Sequence, residues 1–118
     1  MSKDDYIKRE IKRLNKIFAN LTQDAAQVAE KLIENAAFMA VSLSELQRII
    51  NEKGYTEEYQ NGENQFGTKK SSEVDIYNTM IKNFNTTMKQ LIDMLPDSPS
   101  GGNSRNAALD YINGRGAP

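Results

Sequence analysis

The stretch from Ser71 to Pro96 constrains the fold of this chain more than any other. Its apolar residues are Val74, Tyr77, Ile81, Phe84, Met88, Leu91 and Leu95. They alternate in steps of three and four, the spacing of a helix face that packs on another helix. Ser72 is placed to cap the first turn, with Asp75 three residues later, and the residue before Pro96 avoids helical geometry. The stretch predicts a helix over residues 72–95.

A second amphipathic pattern opens the chain. Ile7, Ile11, Leu14, Phe18 and Leu21 repeat in steps of four and three, which predicts a helix over about residues 3–19. At about 100° per residue, its basic residues are centred on the opposite face. They are Lys8, Arg9, Lys12, Arg13 and Lys16. This face is either a solvated surface or a set of phosphate contacts. A membrane-surface helix ranks lower, because acidic residues lie nearby and the chain has no Trp.

The middle of the chain predicts one long helix over residues 23–53, ended by Gly54. Ser42 followed by Glu45 is a second capping signal, so a break near Ser42 stays open. In a continuous helix, three apolar residues fall outside the main apolar face: Phe38, Val41 and Ile49. They are expected either to contact a neighbouring subunit or to be covered by a third helix of the same chain.

Residues 54–71 are expected to form a β-hairpin or a plain loop. Asn61-Gly62 is a strong hairpin signal, because both residues tolerate positive φ. The predicted fold class is therefore all-α, a bundle of two to three long helices over residues 1–96 with a possible small hairpin insert.

Beyond Pro96 the composition changes. DSPSGGNSRN is rich in Ser, Gly, Pro and Asn, which predicts a flexible tail over residues 97–118. A small apolar island at 107–114 contains Leu109, Tyr111 and Ile112. The island is interpreted as either a docking peptide that orders on binding or a frayed terminus.

Composition narrows the chemistry that the chain can perform. It contains no His and no Cys, which removes the commonest general base, thiolate chemistry and the commonest metal ligands. The acidic residues are scattered, and no phosphate-binding loop is present. We therefore expect no enzyme activity, metal or cofactor. The mean hydropathy of -0.67 and the opening MSKDDYIKRE favour neither a membrane span nor a signal peptide.

Charge is unevenly distributed although the net charge is only -1. Residues 3–16 carry six basic and three acidic side chains, whereas residues 17–64 carry three basic and eight acidic ones. Any attraction to nucleic acid must therefore be local to the first helix.

Three segments carry a resemblance to a known family. They are LIENAAFMAVSLSELQ (Leu32–Gln47), EEYQNGENQFGTKKSSEV (Glu57–Val74) and IYNTMIKNFNTTMKQLIDMLP (Ile76–Pro96). Together they resemble the small terminase subunit of tailed phages, in the branch common among phages of Gram-positive hosts. The resemblance runs from about residue 25 to residue 96, roughly 60% of the chain. It implies a helical DNA-recognition subunit that assembles as a ring and directs a separate large subunit, which holds the ATPase and nuclease.

The resemblance also assigns partners to the surfaces found above. Double-stranded viral DNA is expected at the five basic residues of the first helix. Homo-oligomerisation is expected through Phe38, Val41, Ile49, Ile81 and Phe84, and large-subunit docking through Leu109, Tyr111 and Ile112. The expected location is the host cytoplasm. Two alternatives stay open: a structural or regulatory helical oligomer without a DNA partner, and a small helix-turn-helix transcription factor.

Overall fold

A computed structural model describes residues 1–96 and 99–114, with side chains for 1–96 and 103–114. The elements are α1 (Lys3–Ile17), α2 (Gln23–Lys53), β1 (Thr56–Gln60), β2 (Phe66–Lys70), α3 (Ser72–Asp93) and α4 (Pro99–Gly114). The described chain is thus mostly helical, with four helices and one two-stranded antiparallel sheet. The predicted helical class with a hairpin insert is confirmed at this level, and the fourth helix was not predicted.

Helix α1 begins with a capping box. The Asp5 N–H donates to Ser2 Oγ over 3.2 Å, and the Ser2 N–H donates to Asp5 Oδ2 over 3.0 Å, so two backbone donors at the helix start are satisfied. The helix ends at Ile17, two residues before the predicted end. Phe18 follows it as the C-cap and is buried, because the apolar pattern continues into the turn after the helix stops.

Helix α2 is continuous, so the open question of a break near Ser42 is answered. It begins after Thr22, whose Oγ1 accepts from the Ala25 N–H over 3.2 Å. Ser42 lies buried within the helix, which contains no Gly or Pro. Gly54 ends the helix with φ 86°, a conformation that strains other residues. At 1.5 Å per residue, α2 is about 46 Å long. Helices α1 and α3 both pack against it.

Helix α3 begins at Ser72, but the residue that caps it lies one position earlier than the sequence suggests. Its cap is Ser71, which is buried and accepts from the Val74 N–H over 3.2 Å. The helix ends at Asp93, not at residue 95, and the chain turns through Met94 and Leu95 before Pro96. The predicted α3 seam is otherwise present, with Phe84, Met88 and Leu91 fully buried.

The segment between α2 and α3 forms the hairpin and not the plain loop. Tyr59 pairs with Gly67 across the two strands, and Gln60 pairs with Phe66. The connection spans residues 61–65 and is closed by the Asn61 N–H donating to the Gln65 carbonyl over 2.7 Å. Gly62 adopts φ 98° there, so the Asn-Gly signal marks the turn although the loop is longer than two residues.

The core lies where α1, α2 and α3 meet. Helix α2 contributes Ala29, Ala36, Ala37 and Ala40, all buried. These small side chains allow α1 and α3 to pack closely against α2. Larger residues fill the remaining space: Leu14, Phe18, Ile33, Leu43, Phe84, Met88 and Leu91.

The predicted flexible tail differs most from the structure, because residues 99–114 form α4. Ala108 and Tyr111 are buried against the core, and the Tyr111 ring centroid lies 6.3 Å from that of Phe84. Asn20 Nδ2 also donates to Ser104 Oγ over 3.0 Å. The apolar island therefore joins the core of its own chain, which sequence composition did not indicate. Residues 97, 98 and 115–118 of the predicted tail lie outside the described residues.

Candidate nucleic-acid interface and apolar groove

One side of α1 carries four exposed cations: Lys8, Arg9, Lys12 and Lys16, which we call the basic face. Lys8, Lys12 and Lys16 recur every four residues and form a row along the helix, with Arg9 beside it. At 1.5 Å per residue the row spans about 12 Å. That distance matches the axial rise of three to four phosphates on one DNA strand, at about 3.4 Å each.

The basic face makes no salt bridge within residues 1–96 and the described part of α4. Three acidic residues of α2 pair with other cations instead. Glu45 lies 3.0 Å from Lys3 Nζ, Glu34 lies 3.1 Å from Lys31, and Glu52 lies 3.3 Å from Arg48. The four cations are therefore concentrated on a protein whose net charge is only -1.

Arg13, the fifth predicted DNA contact, lies apart from the basic face. Its side chain is half-buried, with Nη1 3.6 Å from Glu10 Oε2. Its guanidinium also lies 5.9 Å from the centroid of the Tyr111 ring. Arg13 is thus part of the contact between α1 and α4, and the prediction that it shares one exposed surface with Lys12 is corrected.

Glu10 and Tyr111 form a buried polar contact between α1 and α4. The Tyr111 hydroxyl donates to Glu10 Oε1 over 3.1 Å, and both residues are buried. Burial raises the pKa of Tyr111 well above its ordinary value of 10.0, and the Glu10 charge and hydrogen bond raise it further, while Arg13 opposes the shift. The neutral phenol is therefore the form that this site stabilises.

A shallow apolar groove runs between α2 and α3. Its lining residues include Phe38, Met39, Leu46, Ile49, Ile76 and Met80. Phe38 and Ile76 expose 47% and 50% of their surface, which is high for large apolar side chains. Lys3 closes one end, with Nζ 4.8 Å from the Phe38 ring centroid. Ser42 also lines the groove, and its buried hydroxyl has no hydrogen-bond partner among the described residues.

The predicted oligomerisation residues divide between this groove and the core. Phe38 and Ile49 line the groove, and Val41 is half-buried on α2. Ile81 is half-buried and packs against the core of its own chain. Phe84 is fully buried beneath Tyr111, so in this fold it contacts its own chain and not a neighbour. For Phe84 the predicted surface role is therefore corrected, since a helix seam can be filled from within the chain.

The three predicted docking residues do not present a common surface. Leu109 is 47% exposed, whereas Tyr111 is buried and Ile112 packs partly against the core. A partner that takes all three side chains must therefore separate α4 from the rest of the protein.

Charged residues at the base of the hairpin form salt bridges with one another. Lys53 Nζ lies 2.9 Å from Glu73 Oε1, which joins the end of α2 to the start of α3. This hydrogen bond raises the pKa of Lys53 and lowers the pKa of Glu73. Lys69 and Lys70, two exposed cations of β2, pair with Glu57 at 3.4 Å and Asp75 at 3.1 Å.

Sequence reasoning did not single out two exposed cations on α3, Lys82 and Lys89. Neither makes a salt bridge within the described residues. They are seven residues apart, so they lie on the same side of α3, opposite its buried seam. This spacing could have been read from the sequence.

Across residues 1–96 and 99–114, no group of three or more acidic side chains is placed to hold a metal ion. None of the helices in the same part of the chain is both long enough and apolar enough to cross a bilayer. Comparisons with protein-family models, curated proteins and solved structures found no match.

Proposed function

We propose that this protein is the small terminase subunit of a tailed phage. It binds double-stranded viral DNA at the packaging-initiation site in the host cytoplasm and brings the large subunit to it. ATP hydrolysis and DNA cleavage belong to the large subunit, and this chain acts as a non-catalytic recognition subunit. The word-order resemblance over residues 25–96 supports the family, and the surface of α1 supports the DNA partner.

The observation that carries the proposal is the basic face. Its four exposed cations have no salt-bridge partner in the described chain, so phosphates meet little internal competition. Binding to phosphates releases counterions from DNA, which makes affinity depend strongly on salt. Because phosphate contacts position a protein without reading bases, these residues supply affinity and little sequence preference.

A single basic face binds DNA weakly, and assembly of several subunits repeats that face around the oligomer. The groove between α2 and α3 supports the proposal of a closed homo-oligomer, because its apolar side chains are suited to contact with a second copy. Basic faces repeated around a ring act on one duplex together, which raises the overall affinity without new contacts in each subunit.

The groove is equally compatible with the alternative of a structural helical oligomer without DNA. An apolar groove favours assembly, but it gives no evidence for binding to the phosphates of DNA. A helix-turn-helix transcription factor is less favoured. That motif places two short helices around a short turn, whereas α2 has 31 residues.

The test is a salt titration of binding to duplex DNA by wild type and by a double charge reversal, Lys12→Glu with Lys16→Glu. Both side chains are exposed, so the fold is expected to persist. We expect strong loss of affinity and a salt slope that falls by about 0.9 for each phosphate contact removed. Lys82→Glu with Lys89→Glu is the matched control, because it changes the net charge equally on another helix.

Arg13 is left unchanged in this test, because Arg13→Glu would place a second carboxylate beside buried Glu10. If both double variants weaken binding equally, only the net charge matters and the basic face is not the site. If wild type shows no salt-dependent binding to DNA as an oligomer, the structural alternative is favoured.

A further inference from the structure

A closed ring of more than two copies needs two different surfaces on every copy of the chain. A twofold dimer brings the same patch together from both copies, whereas a ring repeats a contact between one patch and a different one. The groove between α2 and α3 is a concave apolar surface, so it supplies one member of such a pair. The second member has to be an apolar element that projects from the same chain.

The β-hairpin is the element that projects apolar side chains. Tyr55, directly before β1, and Phe66 each expose 72% of their surface, and Tyr59 exposes 44%. The other exposed large apolar side chains outside the groove, within the described residues, are spread over the N-terminus and three helices: Met1, Tyr6, Val28 and Leu109. The hairpin therefore carries the densest set of exposed aromatic side chains and is the best match for the second surface.

The hairpin gains little cover from the helices of its own chain. Its two strands contact each other more than they contact any helix. At its base, the Ser71 N–H donates to the Tyr55 carbonyl over 2.9 Å, and Lys70 Nζ lies 3.1 Å from Asp75 Oδ1. An isolated two-stranded hairpin is only marginally stable in water, and its outer edges leave backbone N–H and C=O groups unpaired. A surface that covers one side of the hairpin would therefore stabilise it.

Cross-strand pairing decides which side chains share a side of the hairpin. Glu58 and Gln60 are two residues apart on β1, and Gln60 pairs with Phe66, so all three side chains lie on one side. Tyr59 lies on the other side, with its ring against Gly67. Glu58 makes no salt bridge within the part of the chain that the structure describes. One side of the hairpin thus combines a projecting phenyl ring with a carboxylate that has no cation beside it.

The groove offers a matching set of contacts. Phe38 and Ile76 are half-exposed apolar side chains that can cover a phenyl ring. Lys3 closes one end, and its side chain is still 43% exposed, so it can contact a carboxylate from another copy. Ser42 contributes a buried hydroxyl without a hydrogen-bond partner in the described chain, which suits the unpaired backbone groups of a strand edge. The hairpin and the groove are therefore complementary in apolar surface, in charge and in polar groups.

We propose that the hairpin of one copy docks into the groove of the next copy, with Phe66 between Phe38 and Ile76 and with Glu58 beside Lys3. The inference rests on the proposed homo-oligomer and not on the proposed DNA partner. Because the contact joins two different surfaces, it repeats from head to tail and can close into a ring. It uses none of the four cations of the basic face.

The first experiment mixes two variants that are each defective in one surface. Phe66→Asp places a charge on the hairpin and Ile76→Asp places one in the groove, and both side chains are exposed, so the fold should persist. By native mass spectrometry, each variant alone should have the mass of a monomer, 13.3 kDa. Their mixture should form a species of twice that mass and nothing larger, because one intact hairpin meets one intact groove and the two remaining surfaces are defective. Tyr55→Asp is the matched control, since Tyr55 is as exposed as Phe66 but lies before β1, and it should assemble like wild type.

The second experiment tests the geometry by crosslinking. The chain contains no Cys, so a disulfide between introduced cysteines identifies the contact without ambiguity. Glu58→Cys and Lys3→Cys retain Phe66 and the apolar side chains of the groove. A mixture of the two variants should form a disulfide-linked dimer under mild oxidation, whereas neither variant alone should do so.

Three results would overturn the inference while leaving the proposed assembly intact. If wild type and Phe66→Asp form the same oligomer, the hairpin is not the occupant of the groove. If Lys3→Cys alone forms the linked dimer, two grooves meet each other. If the mixture of the Asp variants stays monomeric while wild type assembles, the two surfaces do not meet. A wild type that is monomeric overturns the inference together with the proposed assembly, whereas an oligomer that does not bind DNA overturns only the proposed DNA partner.

Discussion

Tyr111 connects α4 to the body of the protein through two different interactions. Its ring covers Phe84, which gains apolar burial, and its hydroxyl donates to the Glu10 carboxylate. Hydrogen bonds to charged groups contribute about 1.5–3 kcal/mol, more than those between neutral groups. Removing the donor also leaves a buried carboxylate oxygen unsatisfied. Tyr111 thus attaches α4 through both an apolar contact and a hydrogen bond to a charged group.

The raised pKa of Tyr111 predicts a loss of stability in alkaline solution. The folded protein holds the phenolic proton more tightly than the unfolded chain, so unfolding releases a proton above the ordinary value of 10.0. The stabilisation is complete below about pH 10 and is lost as the pH rises toward the folded-state pKa. Urea unfolding followed by circular dichroism at pH 8 and pH 11 should show a larger loss for wild type than for Tyr111→Phe.

Alkaline pH acts on the whole protein and not only on Tyr111, so the comparison between variants carries the test. Tyr55→Phe removes a phenol that is 72% exposed and should retain the pH dependence of wild type. If Tyr111→Phe and wild type lose equal stability between pH 8 and pH 11, the Glu10 contact does not control the titration.

At the scale of elements, the sequence predicts a helix where apolar periodicity is long and unbroken. The patterns over residues 23–53 and 72–95 predict α2 and α3 to within two residues at each end. The break near Ser42 was left open because a capping signal is local, whereas burial of Ser42 beside α3 is a tertiary effect. The cap of α3 is Ser71 and not the predicted Ser72 for a related reason, because either serine satisfies the local capping pattern.

Helix α4 was missed because its local sequence argues against it. Gly101, Gly102 and the neighbouring Ser and Asn residues disfavour a helix, whereas the packing of Tyr111 against Phe84, a tertiary contact, favours one. The same lack of information about tertiary contacts affected the candidate sites. Arg13 was grouped with the basic face because helix geometry alone shows no sign of Tyr111, which is 98 positions further along the chain. The exposed row of Lys8, Lys12 and Lys16 was predictable, because it depends on α1 alone.

The hairpin offers a test at its own scale. A Cβ atom on Gly67 would lie 2.8 Å from the end of the Tyr59 ring, so Gly67→Ala should displace that ring. Cross-strand pairs contribute about 0.2–1 kcal/mol, and we expect a loss within that range, confined to β1 and β2. The measurement is the ring-current shift of residue 67 together with amide exchange in both strands. In a Tyr59→Ala background, Gly67→Ala should have no further effect, and an equal effect there would contradict the contact.

At the scale of the whole molecule, the two proposed binding surfaces lie on different elements. The basic face belongs to α1, whereas the groove is formed by α2 and α3. Lys3 is the connection between them, because it extends from the start of α1 to Glu45 and Phe38 on α2. The proposed assembly through the groove would therefore leave the row from Lys8 to Lys16 open to a polyanion. This separation would allow the proposed assembly and the proposed DNA binding to be altered independently.

The final prediction concerns the groove. Ile76→Asp places a charge on a half-exposed groove side chain, so the monomer fold should persist while burial against a second copy becomes costly. Light scattering over a range of micromolar concentrations should show an oligomer for wild type and a smaller species for the variant. Val28→Asp is the control, since Val28 is 63% exposed on α2 and does not line the groove. Phe84→Asp cannot serve, because it would unfold the core. A wild type that is monomeric throughout, or an oligomer that Ile76→Asp leaves intact, would contradict assembly through this groove.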